Sequence, residues 1–149
     1  MRTARLLAGI LLLALTTAAW PADLLAPHRG RDRVILVFAP AGDDPRLAAL
    51  SADRAELACE IANRQVVIEV VAGVAPGRSE ALRRAFEISE GDFVALLVGK
   101  DGGQKARSSG HVDLPGMLRL IDTMPMRRAE RAGDRDCGRP APPRQESGG

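Results

Sequence analysis

The sequence predicts one α/β domain built on a four-stranded mixed sheet with helices on both faces. Two short, nearly continuous apolar runs, at 33–38 and 93–99, read as strands buried on both sides. A β-branched run at 65–72 supplies a third strand, and segments with apolar residues at helical spacing lie between and after these runs. At 149 residues, the chain has the length of a single domain that can bury a core without metals or several disulfides.

The first strand, Arg33 to Phe38, ends at Ala39-Pro40. From Pro45 to Asn63, Leu47, Leu50, Leu57 and Ile61 recur at helical spacing, with Asp43 and Asp44 as acidic N-terminal candidates and Pro45 suited to the first turn. This is the longest helix the pattern predicts. The second strand, Gln65 to Ala72, leaves Glu69 as the one charge to be placed near a sheet edge. A shorter helix follows, with Ser79 as its expected cap and Leu82, Ala85 and Phe86 as its apolar stripe.

The third strand, Phe93 to Gly99, passes through the turn Lys100-Asp101-Gly102-Gly103 into a polar strand, Gln104 to Arg107. That is an edge hairpin. Asp113 is placed to cap a last helix that carries Leu114, Met117, Leu118 and Ile121 on one face, and Pro125 stops or kinks it. The order β-α-β-α-β-β-α contains one parallel crossover pair and one antiparallel pair, for which a thioredoxin-like topology is the commonest solution.

Both ends of the chain read as lying outside this domain. Arg2 and Arg5 precede an uncharged apolar stretch at 6–15 and the small-residue run Thr16-Thr17-Ala18-Ala19, the pattern of a cleavable Sec-type signal peptide at 1–22, cut after Ala19 or Ala22. The apolar run falls short of the ~20 residues that span a bilayer, so no stable membrane anchor is expected after cleavage, and the product is assigned to the periplasm or the extracellular space. The domain is expected over 23–128, with Leu24 and Leu25 docking on it. Residues 129–149, rich in Gly, Pro and charge, read as a disordered tail.

Composition narrows the function. The formal charge of +2 falls to about zero once Arg2 and Arg5 are removed, and 3% aromatic content offers few stacking platforms, so nucleic acid is not an expected partner. Neither His nor Cys occurs at ligand spacing, and no metal or other cofactor is expected. Met117, Met124 and Met126 invite comparison with a soft copper site, but their spacing suits core and helix-end packing better.

Residues 96 to 128, LLVGKDGGQKARSSGHVDLPGMLRLIDTMPMRR, pair the turn Gly99-Lys100-Asp101-Gly102-Gly103 with Ile121-Asp122-Thr123-Met124-Pro125-Met126-Arg127-Arg128. This double motif resembles the signature of a bacterial exported family of unknown function. That family is similar to a domain of the secreted animal proteins equarin and the sushi-repeat-containing group, together called the P-DUDES family. The resemblance implies export and a thioredoxin-like fold, and it carries no catalytic residue onto this chain.

In a thioredoxin-like domain the redox thiols sit just after the first strand, where the helix N-terminus lowers a thiol pKa. Here that place is Ala41-Gly42-Asp43-Asp44, and Glu90-Gly91-Asp92 replaces the usual cis-proline ahead of the third strand. Ordinary disulfide exchange is therefore not expected. Cys59 lies roughly 21 Å further along the helix. It faces away from Leu57 and Ile61, either bridged to Cys137 of the tail or packed alone, with Cys137 unpartnered.

Lys100, Asp101, Lys105 and Arg107, joined by Arg127 and Arg128, are candidates for an anion- or partner-binding patch. The bland alternative is a turn with solvated charges. Taken together, the residues lead to a non-catalytic binding or interaction module for an unknown protein or anionic ligand, with enzymatic activity not favoured. A thiol-dependent oxidoreductase or redox sensor using Cys59, with Cys137, is the alternative.

Overall fold

The computed structural model describes residues 24–73 and 77–138. The expected signal peptide and residues 139–149 lie outside them. Among the described residues the strands and α-helices follow in the order β1 (Arg33–Ala39), α1 (Pro45–Glu56), α2 (Ala58–Asn63), β2 (Val66–Ala72), α3 (Arg78–Ala85), β3 (Val94–Val98), β4 (Gln104–Ser109), α4 (Leu114–Asp122) and α5 (Pro125–Glu130). The strands form one sheet in the order β2-β1-β3-β4. β1 runs parallel to β2 with Arg33 opposite Val66, and antiparallel to β3, which pairs antiparallel with β4. This is the predicted mixed, thioredoxin-like arrangement.

The continuous apolar runs are explained by the position of β1 and β3 in the middle of the sheet, where every residue of both strands is buried. Ile35, Val37, Ala39, Ala95 and Leu97 face one cluster with Leu50, Leu114, Met117, Leu118 and Ile121, against which Leu47, Leu57 and Ile61 pack. Val34, Leu36, Phe38, Val94, Leu96 and Val98 face the other, with Leu25, Leu82, Phe86 and Ile88. Helices α1, α2 and α4 thus cover one face, while α3 and the N-terminal Leu24-Leu25 cover the other. Each Val, Leu, Ile, Met or Phe side chain so buried contributes roughly 1.5–3 kcal/mol.

Several boundaries differ from the sequence pattern. The helix expected over Pro45–Asn63 is broken at Leu57 (φ −96°, ψ 16°), yet both pieces keep their apolar side chains on the same core. Helix α3 begins at Arg78 because Gly77, at φ 95°, turns the chain ahead of it; Ser79 lies inside the helix and is not its cap. The last boundary is as expected: α4 stops at Asp122, just ahead of Pro125. Extended Met124 precedes it, and Pro125 opens α5 at a position where its missing N–H costs no hydrogen bond.

The largest difference is at the C-terminal end. The sequence reading ends the domain at Arg128, but the chain continues through α5, a 3₁₀ turn at Arg131–Gly133 and an extended stretch to Gly138. Almost no apolar side chains hold this segment. Charged groups and a disulfide fasten it, and composition does not reveal such partners.

Candidate functional site

The position at which thioredoxin-like domains hold their thiols has a structural occupation here. Asp44 caps α1 by accepting from Arg46 N at 3.0 Å, and its carboxylate also receives Arg46 Nε at 2.8 Å and Nη2 at 2.6 Å. The Arg46 side-chain bond holds the Asp44 carboxyl below its ordinary value. The Arg46 guanidinium then lies 4.1 Å from the centre of the Phe93 ring. Before β3, Asp92 accepts from Ser89 N at 3.2 Å, and all peptide bonds among the described residues are trans.

Both cysteines are at the far end of the α1–α2 pair. Cys59 and Cys137 are joined in a disulfide that spans 78 residues of sequence. Beside it, Asn63 takes hold of the same strap: its Oδ1 accepts from Arg135 N at 3.0 Å, and its Nδ2 donates to Arg135 O at 2.8 Å. Of the two outcomes left open for Cys59, the bridged one holds.

A group of charges continues this fastening beneath the strap. Arg64 donates to Asp122 at 2.6 and 3.1 Å and to Glu60. Arg127, 2% exposed, donates to Asp134, to Asn63 O at 3.1 Å and to Asp122 at 3.4 Å. Burial pushes Asp122 up, but the bonds from Arg64 and Arg127 outweigh it and leave the carboxyl below its usual range. Asp134 is held down chiefly by Arg127, whose own pKa rises in return. These residues line a polar cavity of about 350 Å³ together with Cys137.

On the neighbouring side, Arg33 opens β1 with its side chain 2% exposed and donates to Arg64 O at 2.8 Å and to Glu130 at 2.9 Å. Lys100 donates to the other oxygen of Glu130 at 2.7 Å and to Gln65. One carboxylate thus lies between two buried cations. Burial raises the Glu130 pKa, and the bonds from Lys100 and Arg33 more than reverse that.

The two sequence motifs meet here. Arg33, Gly99, Lys100, Asp101 and Lys105 line a cavity of about 180 Å³ with Met124, Pro125 and Met126. Gly99 lies close to two of these side chains: a Cβ there would stand 2.6 Å from Lys105 Cε and 2.7 Å from Asp101 Oδ1, displacing the pair in which Lys105 donates to Asp101 at 2.6 Å. That bond lowers the Asp101 pKa.

The six residues singled out for an anion- or partner-binding patch therefore separate. Lys100, Asp101 and Lys105 share the smaller cavity, while Arg127 lines the larger one and Arg107 reaches Phe86 O at 3.3 Å. Arg128 is exposed. Met117 and Met124 pack in or against the core, and Met126 is 53% exposed at the cavity. Among the described residues, no group of three or more His, Cys, Asp or Glu is placed to hold a metal ion, and no helix is long and apolar enough to cross a membrane.

Sequence reasoning missed Arg33, Arg64 and Glu130, which have partners across long separations, and Asp134, which pairs with Arg127 seven residues before it. It also missed Arg83, 4% exposed, which donates to Gly73 O at 3.0 Å, Ser89 O at 3.0 Å, Ala39 O at 2.6 Å and Val71 O at 3.3 Å. The available signal was a charge inside an apolar pattern: Arg33 begins a strand that is otherwise all carbon, and Arg83 adjoins Leu82 on the covered face of α3.

Fold and site together define a thioredoxin-like α/β domain without thiols at the thioredoxin position, closed by a disulfide-fastened C-terminal strap. The chain belongs to the family described as a domain of unknown function, DUF4174, which it matches over residues 24–130. No curated protein matches it.

Proposed function

We propose that this chain is an exported, non-catalytic binding module, a thioredoxin-like scaffold that holds a protein or anionic ligand rather than exchanging disulfides. The observation that carries the reading is the occupation of the thioredoxin position by Ala41–Asp44, with Asp44 committed to the α1 cap and to Arg46. Carboxylates cannot exchange disulfides, and the two cysteine sulfurs of the chain are bonded to each other elsewhere. Kinship with the P-DUDES group belongs to the same reading, as does delivery to the periplasm or the exterior, where such a disulfide persists.

The test is catalysed reduction of insulin by dithiothreitol, run on protein recovered from the exporting cell and weighed intact without reductant. The expected protein begins at Trp20 or Asp23, is lighter by the two hydrogens of one disulfide, and leaves the dithiothreitol rate unchanged. A full-length mass overturns export, and an accelerated rate overturns the non-catalytic reading. The second reading, a redox sensor, is favoured by the way the Cys59–Cys137 bond fastens an entire segment. It requires that reduction alter binding, which the same preparation tests with and without reductant.

A further inference from the structure

Two cavities flank the strap, and their charge balance differs. The larger one faces the four guanidinium groups of Arg64, Arg127, Arg131 and Arg135 with the four carboxylates of Glu60, Asp122, Asp134 and Asp136. It has no surplus to offer a charged ligand. The smaller one is lined by three cations, Arg33, Lys100 and Lys105, and the carboxylates bonded to them are two, Asp101 and Glu130. Arg33 and Lys100 are the buried members, and they share Glu130. Nearby, the Arg29 guanidinium lies over Gly102 of the same turn, 3.3 Å from where a Cβ would stand.

A surplus positive charge held out of water is costly unless an anion completes the pairing. Lys100 spends two of its three N–H donors on Gln65 and Glu130. The rest of the wall is carbon from Met124, Pro125 and Met126, and thioethers adapt to an apolar guest. At about 180 Å³ the space is smaller than the ~300 Å³ of a drug-sized ligand site and holds about six groups the size of a water molecule.

We propose that this cavity binds a short aliphatic carboxylate, whose charge completes the pairing of Arg33 and Lys100 and whose tail lies against Met124, Pro125 and Met126. The inference rests on the binding-module reading and gives that module a ligand class. Neither half suffices: a small ion leaves the apolar wall wet, and a neutral tail leaves the surplus charge unanswered.

The test is titration of the ¹⁵N-labelled, disulfide-intact protein with hexanoate, acetate and hexanol. Hexanoate is expected to move the amide signals of residues 99–105 and 124–126, with acetate and hexanol at least roughly tenfold weaker. Met126→Glu, at an exposed position, is expected to weaken hexanoate by a similar factor while the thermal melt stays in place. Equal binding of hexanol, shifts confined elsewhere, no shift at all, or shifts indifferent to Met126→Glu would each overturn the site. Because insulin reduction reports separately on catalysis, failure of this site and failure of the non-catalytic reading are told apart.

Discussion

Glu130 accepts a hydrogen bond from Arg33 at 2.9 Å across 97 residues of sequence, joining the last helix to the first strand. The same carboxylate takes Lys100 at 2.7 Å. Glu130→Gln keeps the shape and removes the one negative charge between two buried positive ones. Breaking a fully buried pair costs about 3–5 kcal/mol; with Glu130 at 18% side-chain exposure, a loss of about 2 kcal/mol is expected in urea unfolding. An unchanged midpoint would mean that water already neutralises Arg33 and Lys100.

The Cys59–Cys137 bond closes a loop of 78 residues, and a cross-link of that span removes enough unfolded-state freedom to be worth about 4 kcal/mol. Cys59→Ser combined with Cys137→Ser should lower the thermal midpoint clearly, and dithiothreitol should do the same to the native chain. Amide exchange at residues 131–138 should rise most, since only the polar contacts of Asn63 with Arg135, Arg127 with Asp134 and Arg131 with Asp122 would then hold the strap among the described residues. Equal exchange in both forms would assign the fastening to the ion pairs.

Acid should loosen the same region. Asp122, Glu130 and Asp134 all titrate below their ordinary values of 3.8, 4.5 and 3.8 in the folded protein. The unfolded chain therefore binds protons first, and the stability these groups contribute is complete above the ordinary values and is lost as pH falls through the depressed ones. Urea midpoints should be flat from about pH 7 to pH 5 and fall below that. A midpoint unchanged down to the acid limit would show that these carboxylates contribute nothing net.

Strands β1 and β3, the hairpin and the α4 cap were legible because each is written in local chemistry: unbroken apolar runs, an Asp-Gly-Gly turn, an Asp before Leu-Pro. Clusters of helical spacing found the right faces of α1, α2 and α4 for the same reason. Residues 129–138 were misread because apolar content is the signal of ordering, and Arg127–Asp134 and Arg33–Glu130 order the chain without it. The two motifs were visible in the sequence, but that one meets the other around Glu130 is a property of the sheet, with β1 and β3 side by side.

The α4 cap offers a sharper local test. Asp113 accepts from Gly116 N at 2.9 Å, and a Cβ at Gly116 would stand 2.0 Å from Asp113 Oδ2. Asp113→Ala should cost about 1 kcal/mol. Gly116→Ala alone should be nearly neutral, because the displaced cap offsets a helix-propensity gain of up to about 1 kcal/mol. In the Asp113→Ala background that gain should appear in full, so the cycle should give a coupling of about 1 kcal/mol. Additive changes would show that the cap carboxylate moves aside without loss.

Arg83 is the remaining buried cation among the described residues, and its partners are backbone carbonyls where β1 and β2 end: Ala39, Val71 and Gly73, with Ser89. Burial lowers its pKa, partly offset by the fields of Glu90 and Asp92. The planar guanidinium reaches four acceptors at once while lying 5.5 Å from the centre of the Phe38 ring. A lysine has one nitrogen and cannot reproduce that spread. Arg83→Lys should therefore destabilise by about 2 kcal/mol although it conserves charge, and Arg83→Met by about 3 kcal/mol or more, since the carbonyls then lose every donor the side chain supplied. If the lysine variant melts with the native protein, charge alone holds the strand ends and the fork geometry is incidental; if both variants fall as expected, the strand ends depend on one side chain of α3.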